Sequence, residues 1–188
     1  MSREQILSRI RNAKPSANAL PHIPAFALGK DRLQSFRTAL EANQARVIVT
    51  EVGESWTQQV ALQYPDAKKI FSNLPEFPST ISDTQTSALA QLDLVIVKAE
   101  LGVADNGAIW ISDKSCPIRV LPFIGQHLMV IVDSSTILAN LHEAYQTIDP
   151  RQSGFGVFIS GPSKTADIEQ ALVVGAQGPV SMTVVVTC

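Results

Sequence analysis

The chain has 188 residues, 45% of them apolar, with 17 acidic against 15 basic side chains and a formal net charge of -2. That is enough apolar chain for one ordinary core rather than two; it carries no basic block of the kind that gives non-specific nucleic-acid affinity, so DNA and RNA are not expected partners. Its two cysteines, Cys116 and Cys188, make neither a disulfide framework nor a CxxC motif, and an iron–sulfur cluster, which needs four thiolates, is not expected on this chain.

Ile6, Leu7 and Ile10 fall at helical spacing, and PSANALPHIP after them holds too many prolines to continue a helix. Residues 1–24 read as an amphipathic arm and linker, suited to docking on another copy in a homo-oligomer or else frayed, ahead of a single domain over 25–188. The arm offers neither a signal peptide nor a membrane span, which makes the cytoplasm the expected location. From Asp31 a helix pattern runs through Leu33, Phe36 and Leu40 into ARVIVT, a β-branched strand. A helix from Glu54 to Leu62, a strand KKIFSN, polar sequence to Thr84 and a helix TSALAQ continue the alternation.

LDLVIVKA is apolar on both faces, as in strands covered on both sides. In ELGVADNGAIWISD the pair Asn106-Gly107 reads as a two-residue hairpin turn with positive φ at both positions. KSCPIRVLPF is irregular and HLMVIVD is another buried strand. Residues 136–148 place Ile137, Leu138, Leu141, Tyr145 and Ile148 on one helical face. GFGVFIS then reads as a strand, ADIEQALVV as a short helix and MTVVVT as a strand. Strands alternating with helices predict an α/β fold built on an open, mainly parallel sheet with an added antiparallel hairpin.

In such sheets ligands collect where strands run into helix N-termini. Ser160, Gly161, Pro162, Ser163, Lys164 and Thr165 follow a predicted strand and precede a predicted helix, a corner able to hold a carboxylate or phosphate. The same residues satisfy a plainer account, in which Asp167 caps the helix, Gln170 completes the capping box and Gly175 ends it. Glu100 follows the most apolar strand, and Asp105 lies in the turn with Asn106 and Gly107. Glu100, Asp105 and Asp167 are the carboxylates available for acid–base work, although Asp105 equally suits a solvated turn. His22, His127 and His142 show no ligand spacing, so no zinc site is expected. His142 suits helix packing, Cys116 an unreactive thiol, and Trp56 and Trp110 core or edge positions.

The segments ADNGAIWISD (104–113) and SGPSKTADIEQALVVGAQGP (160–179), spaced by an apolar strand and a helix, resemble the lactate utilization protein C family (LutC/YkgG), whose members carry the LUD domain. The family's second motif reads much like SGPSxTADIExxLVxGxHGP, and the likeness is best from Leu92 to Val186. This chain departs from it at Asn106, where a threonine or serine is common, and at Gln177, where a histidine is common. The resemblance implies a three-layer α/β/α fold similar to the NagB/RpiA/CoA transferase group. It also implies a part in oxidising L-lactate to pyruvate within a three-protein system. In that system this chain is the cluster-free accessory or substrate-handling subunit, with no cofactor of its own, and the partner subunits carry the iron–sulfur clusters. A small carboxylate ligand would sit near Asp105–Gly107 and Ser160–Asp167. The alternative is a stand-alone enzyme on the same fold that binds a CoA-, nucleotide- or folate-type ligand, with Glu100 as nucleophile or base. A pure interaction module is the third reading.

Overall fold

The computed structural model describes residues 2–188 apart from 16–18, 20, 22–23, 25–30, 52–53, 150 and 167–171. His22, Asp167, Gln170 and most of the predicted linker therefore lie outside the described residues.

Helix α1 (Arg3–Asn12) starts on a capping box, with Ser2 and Gln5 exchanging side-chain-to-backbone hydrogen bonds, and none of its residues is buried. Helix α2 (Arg32–Ala42) is capped by Asp31, whose carboxylate accepts from the Gln34 N–H at 2.9 Å, and it buries Phe36 and Leu40. Strand β1 (Arg46–Thr50) and helix α3 (Thr57–Gln63) come next, then β2 (Ile70–Leu74), β3 (Phe77–Pro78), helix α4 (Thr86–Leu89) and β4 (Leu94–Lys98). The predicted hairpin supplies β5 (Leu101–Val103) and β6 (Ile109–Ser112), and the stretch read as irregular contains a four-residue helix α5 (Leu121–Ile124). After β7 (His127–Asp133) come a 3-10 turn (Ser134–Thr136), β8 (Ile137–Leu138), helix α6 (Leu141–Thr147), β9 (Gly156–Ile159), β10 (Lys164–Ala166), β11 (Leu172–Val174) and β12 (Ser181–Thr187).

Six strands form the main sheet in the order β1-β12-β7-β4-β2-β3, parallel except for β3. Strand alternation explains why β4 is apolar from Leu94 to Val97 and β7 from Leu128 to Val132. Val95, Val97, Leu128, Val130 and Val132 enter one core with α2, while Leu94, Ile96, Met129 and Ile131 enter another with Trp56, Val60 and Tyr64. A second sheet, β8-β5-β6-β9, shares the first core through Ile109, Ile111 and Ile137. Its other face packs on α6 through Leu101, Val103 and Ala144. The mainly parallel α/β architecture is the one the sequence predicts; GFGVFIS, however, joins the second sheet beside β6.

Three local expectations are corrected. Residues 137–138 pair with Gly102 and Val103 as β8, and the helix begins at Leu141, capped by Asn140, so Tyr145 is exposed. The helix expected over 166–174 is replaced at its two described ends by antiparallel pairing of Lys164–Ala166 with Leu172–Val174. Finally, the turn after β5 spans four residues: the Val103 N–H donates to the Ala108 carbonyl, and the Gly107 N–H to the Val103 carbonyl. Of the Asn106-Gly107 pair, Gly107 alone has positive φ, at 67°.

Candidate functional site

The carboxyl ends of β2, β4 and β7 open into a cleft of about 480 Å³ lined by Asn73, Lys98, Glu100, Lys114, Ser115, Asp133 and Thr136. Glu100 lies at the step from β4 in the main sheet to β5 in the second, and β6 runs beside it. Its Oε1 accepts from the Ser112 N–H at 3.1 Å, from the Ser112 hydroxyl and from the Ser115 hydroxyl at 3.2 Å. This donor set fixes one carboxylate oxygen on the chain itself. Asn73 donates to the Ser115 carbonyl at 2.7 Å, tying β2 to the same turn. Opposite, Asp133 accepts from the Ser135 hydroxyl and N–H, which hold its carboxyl below the usual range, with Lys98 adding a weaker pull. Lys98 and Lys114 are exposed and bring two ammonium groups to the rim. Lys114 also donates to Gln152 at 2.9 Å.

The two sequence motifs meet elsewhere, around the carboxyl end of α2. Asn43, the residue after that helix, donates through Nδ2 to the Ser160 hydroxyl at 2.8 Å and to the Asn106 carbonyl at 3.3 Å, and the Ser160 hydroxyl donates to the Asn106 carbonyl at 3.0 Å. Lys164 donates to the Asn43 carbonyl at 3.0 Å. Gly161, at φ 88°, lies so close to that carbonyl that a Cβ would collide with it, and a Cβ on Gly107 would stand 2.9 Å from the Leu40 nitrogen. Gly161 and Pro162 are buried, Ser163 and Thr165 half-buried, and Asp105 exposed. A smaller hollow of about 300 Å³ borders Ser160–Lys164, walled by Phe123, Leu128 and Val157.

A larger cleft, about 650 Å³, opens at the amino ends of the parallel strands, opposite the end where α/β sheets ordinarily bind ligands. It holds His127, whose Nδ1 lies 2.8 Å from the Ser181 hydroxyl. Burial holds the imidazole below its usual pKa against the opposing charge of Asp93. His142 is exposed on α6, Trp56 is buried in the second core, and Trp110 packs on Phe158 with ring centroids 4.8 Å apart. Cys116 is buried, which pushes its thiol up to about 11. Among the described residues no group of three or more His, Cys, Asp or Glu side chains could hold a metal ion, and no helix is long and apolar enough to cross a membrane.

A family model described as the LUD domain matches residues 68–187. The chain belongs to the LUD domain family. Relatives include "Lactate utilization protein C" of Bacillus pumilus, 34% identical over 91 residues covering 45% of this chain and 38% of that protein. "Lactate utilization protein C" of Oceanobacillus iheyensis is 20% identical over 92% of this chain and 72% of its own length. "Uncharacterized protein YkgG" of Escherichia coli is 34% identical over 101 residues, 50% of this chain and 43% of that protein. The chain thus spans about two fifths of the length of the Bacillus and Escherichia relatives in the matched stretch. The crystal structure of a DUF162 family protein from Deinococcus radiodurans matches with a TM-score of 0.67 over 84% of this chain and 96% of that one, at 14% identity, and shows the fold.

Within this LUD domain both motif segments fall inside the matched region, and the structure joins them to Asn43, which lies before it. Sequence reasoning singled out Glu100 and missed Ser112, Ser115, Lys98, Lys114 and Asn43. The available signal was the hydroxyl pair in ISDKS, three residues apart and directly after a strand.

Proposed function

We propose that this LUD domain is the cluster-free, substrate-handling component of a system that oxidises L-lactate to pyruvate. The observation that carries the reading is the LUD-domain match, reinforced by relatives named for lactate utilization. We place the hydroxy acid in the cleft at the carboxyl ends of β2, β4 and β7, because a carboxylate and an adjacent hydroxyl need a cation and an acceptor held close together. An ammonium group of Lys98 or Lys114 pairs with the substrate carboxylate. Glu100, fixed by Ser112 and Ser115, accepts the hydrogen bond of the substrate hydroxyl and stands ready to take its proton.

In this reading Asp105–Gly107 and Ser160–Lys164 lock α2 against the second sheet, supported by the hydrogen bonds they spend on one another and on Asn43. The two electrons of the alcohol would leave to iron–sulfur clusters on partner subunits, with the hydroxyl proton taken by Glu100 and the Cα proton released to solvent. Cys116 is a buried thiol whose raised pKa disfavours the thiolate a cluster ligand must be.

A strain lacking this chain is expected to lose growth on L-lactate as sole carbon source while keeping growth on pyruvate. The wild-type chain should restore growth on L-lactate and the Lys98→Ala/Lys114→Ala double variant should not. Normal growth of the deletion strain on L-lactate overturns the proposal. Turnover of an acyl-CoA by the purified chain alone, abolished in Glu100→Gln, identifies a stand-alone enzyme instead.

A further inference from the structure

The cleft at the amino ends of the strands takes no part in that proposal, and its walls are built for a different guest. Strand register sets its floor: Arg46 is level with Thr183, Ser181 with His127, and His127 with Leu94, so the four polar side chains lie on one face of adjacent strands β1, β12 and β7. Tyr64, just past α3, closes one side. Its hydroxyl lies 2.7 Å from the Thr183 hydroxyl, and its ring is 5.1 Å from the His127 imidazole.

Each of these pairs uses one proton and leaves capacity over. The Tyr64–Thr183 pair shares two protons and four lone pairs, and a neutral imidazole bonded at Nδ1 still presents Nε2. Gln44, Gln63 and Gln126 add carboxamides around the rim. An apolar occupant would strip water from these groups and return no hydrogen bonds, which costs affinity.

Charge narrows the class further. Among the described residues Arg46 is the one cation lining the cleft, and its guanidinium already bonds the Gln63 carboxamide, while Asp66 and Asp93 also line it. Asp93 is held ionised by the Lys69 and Lys68 N–H groups, both donating to Oδ2 at 2.8 Å. A wall with no net positive charge does not gather a strong anion. The volume, about 650 Å³, lies within the range of small-molecule sites and is generous for a three-carbon acid.

We infer that the amino-end cleft binds a neutral, polyhydroxylated molecule of monosaccharide size, using the hydroxyls of Tyr64 and Ser181 and the imidazole of His127, with the buried Thr183 hydroxyl holding Tyr64 in place. The site is separate from the Glu100 cleft, so it stands or falls independently of where lactate sits.

The full chain, labelled with 15N, is titrated with D-ribose and D-glucose and followed through its backbone amides. At least one sugar is expected to shift the amides of Tyr64, His127, Ser181 and Thr183 along one saturable curve with a millimolar constant. Tyr64→Phe and His127→Gln should each weaken that binding about tenfold while leaving the remaining amide spectrum unchanged. The inference is overturned by no saturable shift at these amides with either sugar, or by tighter binding there of inorganic phosphate or L-lactate. Unaltered sugar affinity in both folded variants does the same.

Discussion

At the scale of single residues, the titrating groups divide the acid range between them. His127 is half-buried beside Ser181 and Tyr64, and this partial burial outweighs the charge of Asp93 to bring its pKa below 6.5. The unfolded chain then takes up a proton at a pH where the folded chain does not. The neutral imidazole's contribution to stability is therefore present above 6.5 and lost as pH falls through the folded value. His127→Gln is expected to flatten the fall of the urea midpoint as pH drops below about 6.5. A variant that keeps the wild-type slope there refutes the assignment. Asp93 and Asp133, lowered by hydrogen bonds from Lys69 and Lys68 and from Ser135, act in a separate window: their stabilisation is present above the ordinary 3.8 and lost below it. Glu100 was legible as a carboxylate after an apolar strand. Its donors were not, because Ser112 and Ser115 look like turn residues until β6 runs beside the β4–β5 step.

At the scale of elements, the misread segments share a cause: residues with two compatible periods were claimed by a tertiary partner. Ile137 and Leu138 fit a helical stripe with Leu141, yet they complete the edge of β5, and Asn140 caps the true start, accepting from the Glu143 N–H at 3.0 Å. The Asn-x-x-Glu spacing was visible in the sequence and argued for the later start. In 166–174 the cap-like Asp167 suggested a helix, whereas Val173 and Val174 favour a strand once Lys164 and Thr165 lie opposite them. The same junction gives an element-level prediction. Gly161 pairs a φ of 88° with contact on the Asn43 carbonyl, so Gly161→Ala must move α2 away from the Ser160–Asn106 bonds. It should cost about 2–4 kcal/mol in chemical denaturation. A cost near zero would mean that the α2 junction yields freely.

At the scale of the whole molecule, the existence of β1, β4, β7 and β12 was readable from their β-branched runs. The division of the strands between two sheets was not. Pairing partners lie far apart along the chain, as with Val47 beside Val184, and no local pattern distinguishes a strand of one sheet from a strand of the other. β12 is central, pairing with β1 on one side and β7 on the other, and it buries Met182 to Val186 between them. A chain lacking residues 181–188 loses a middle strand rather than an edge. It is expected to show no cooperative thermal transition, and a retained sharp melt would contradict the strand order.

That placement also bears on how the protein is made. On the ribosome β1 emerges early and β7 well after it, each with a row of backbone N–H and C=O groups facing the empty slot between them. Until residues 181–187 clear the exit tunnel, the nascent chain offers two unpaired β-branched edges to any neighbour, and it closes them only when β12 slots in between.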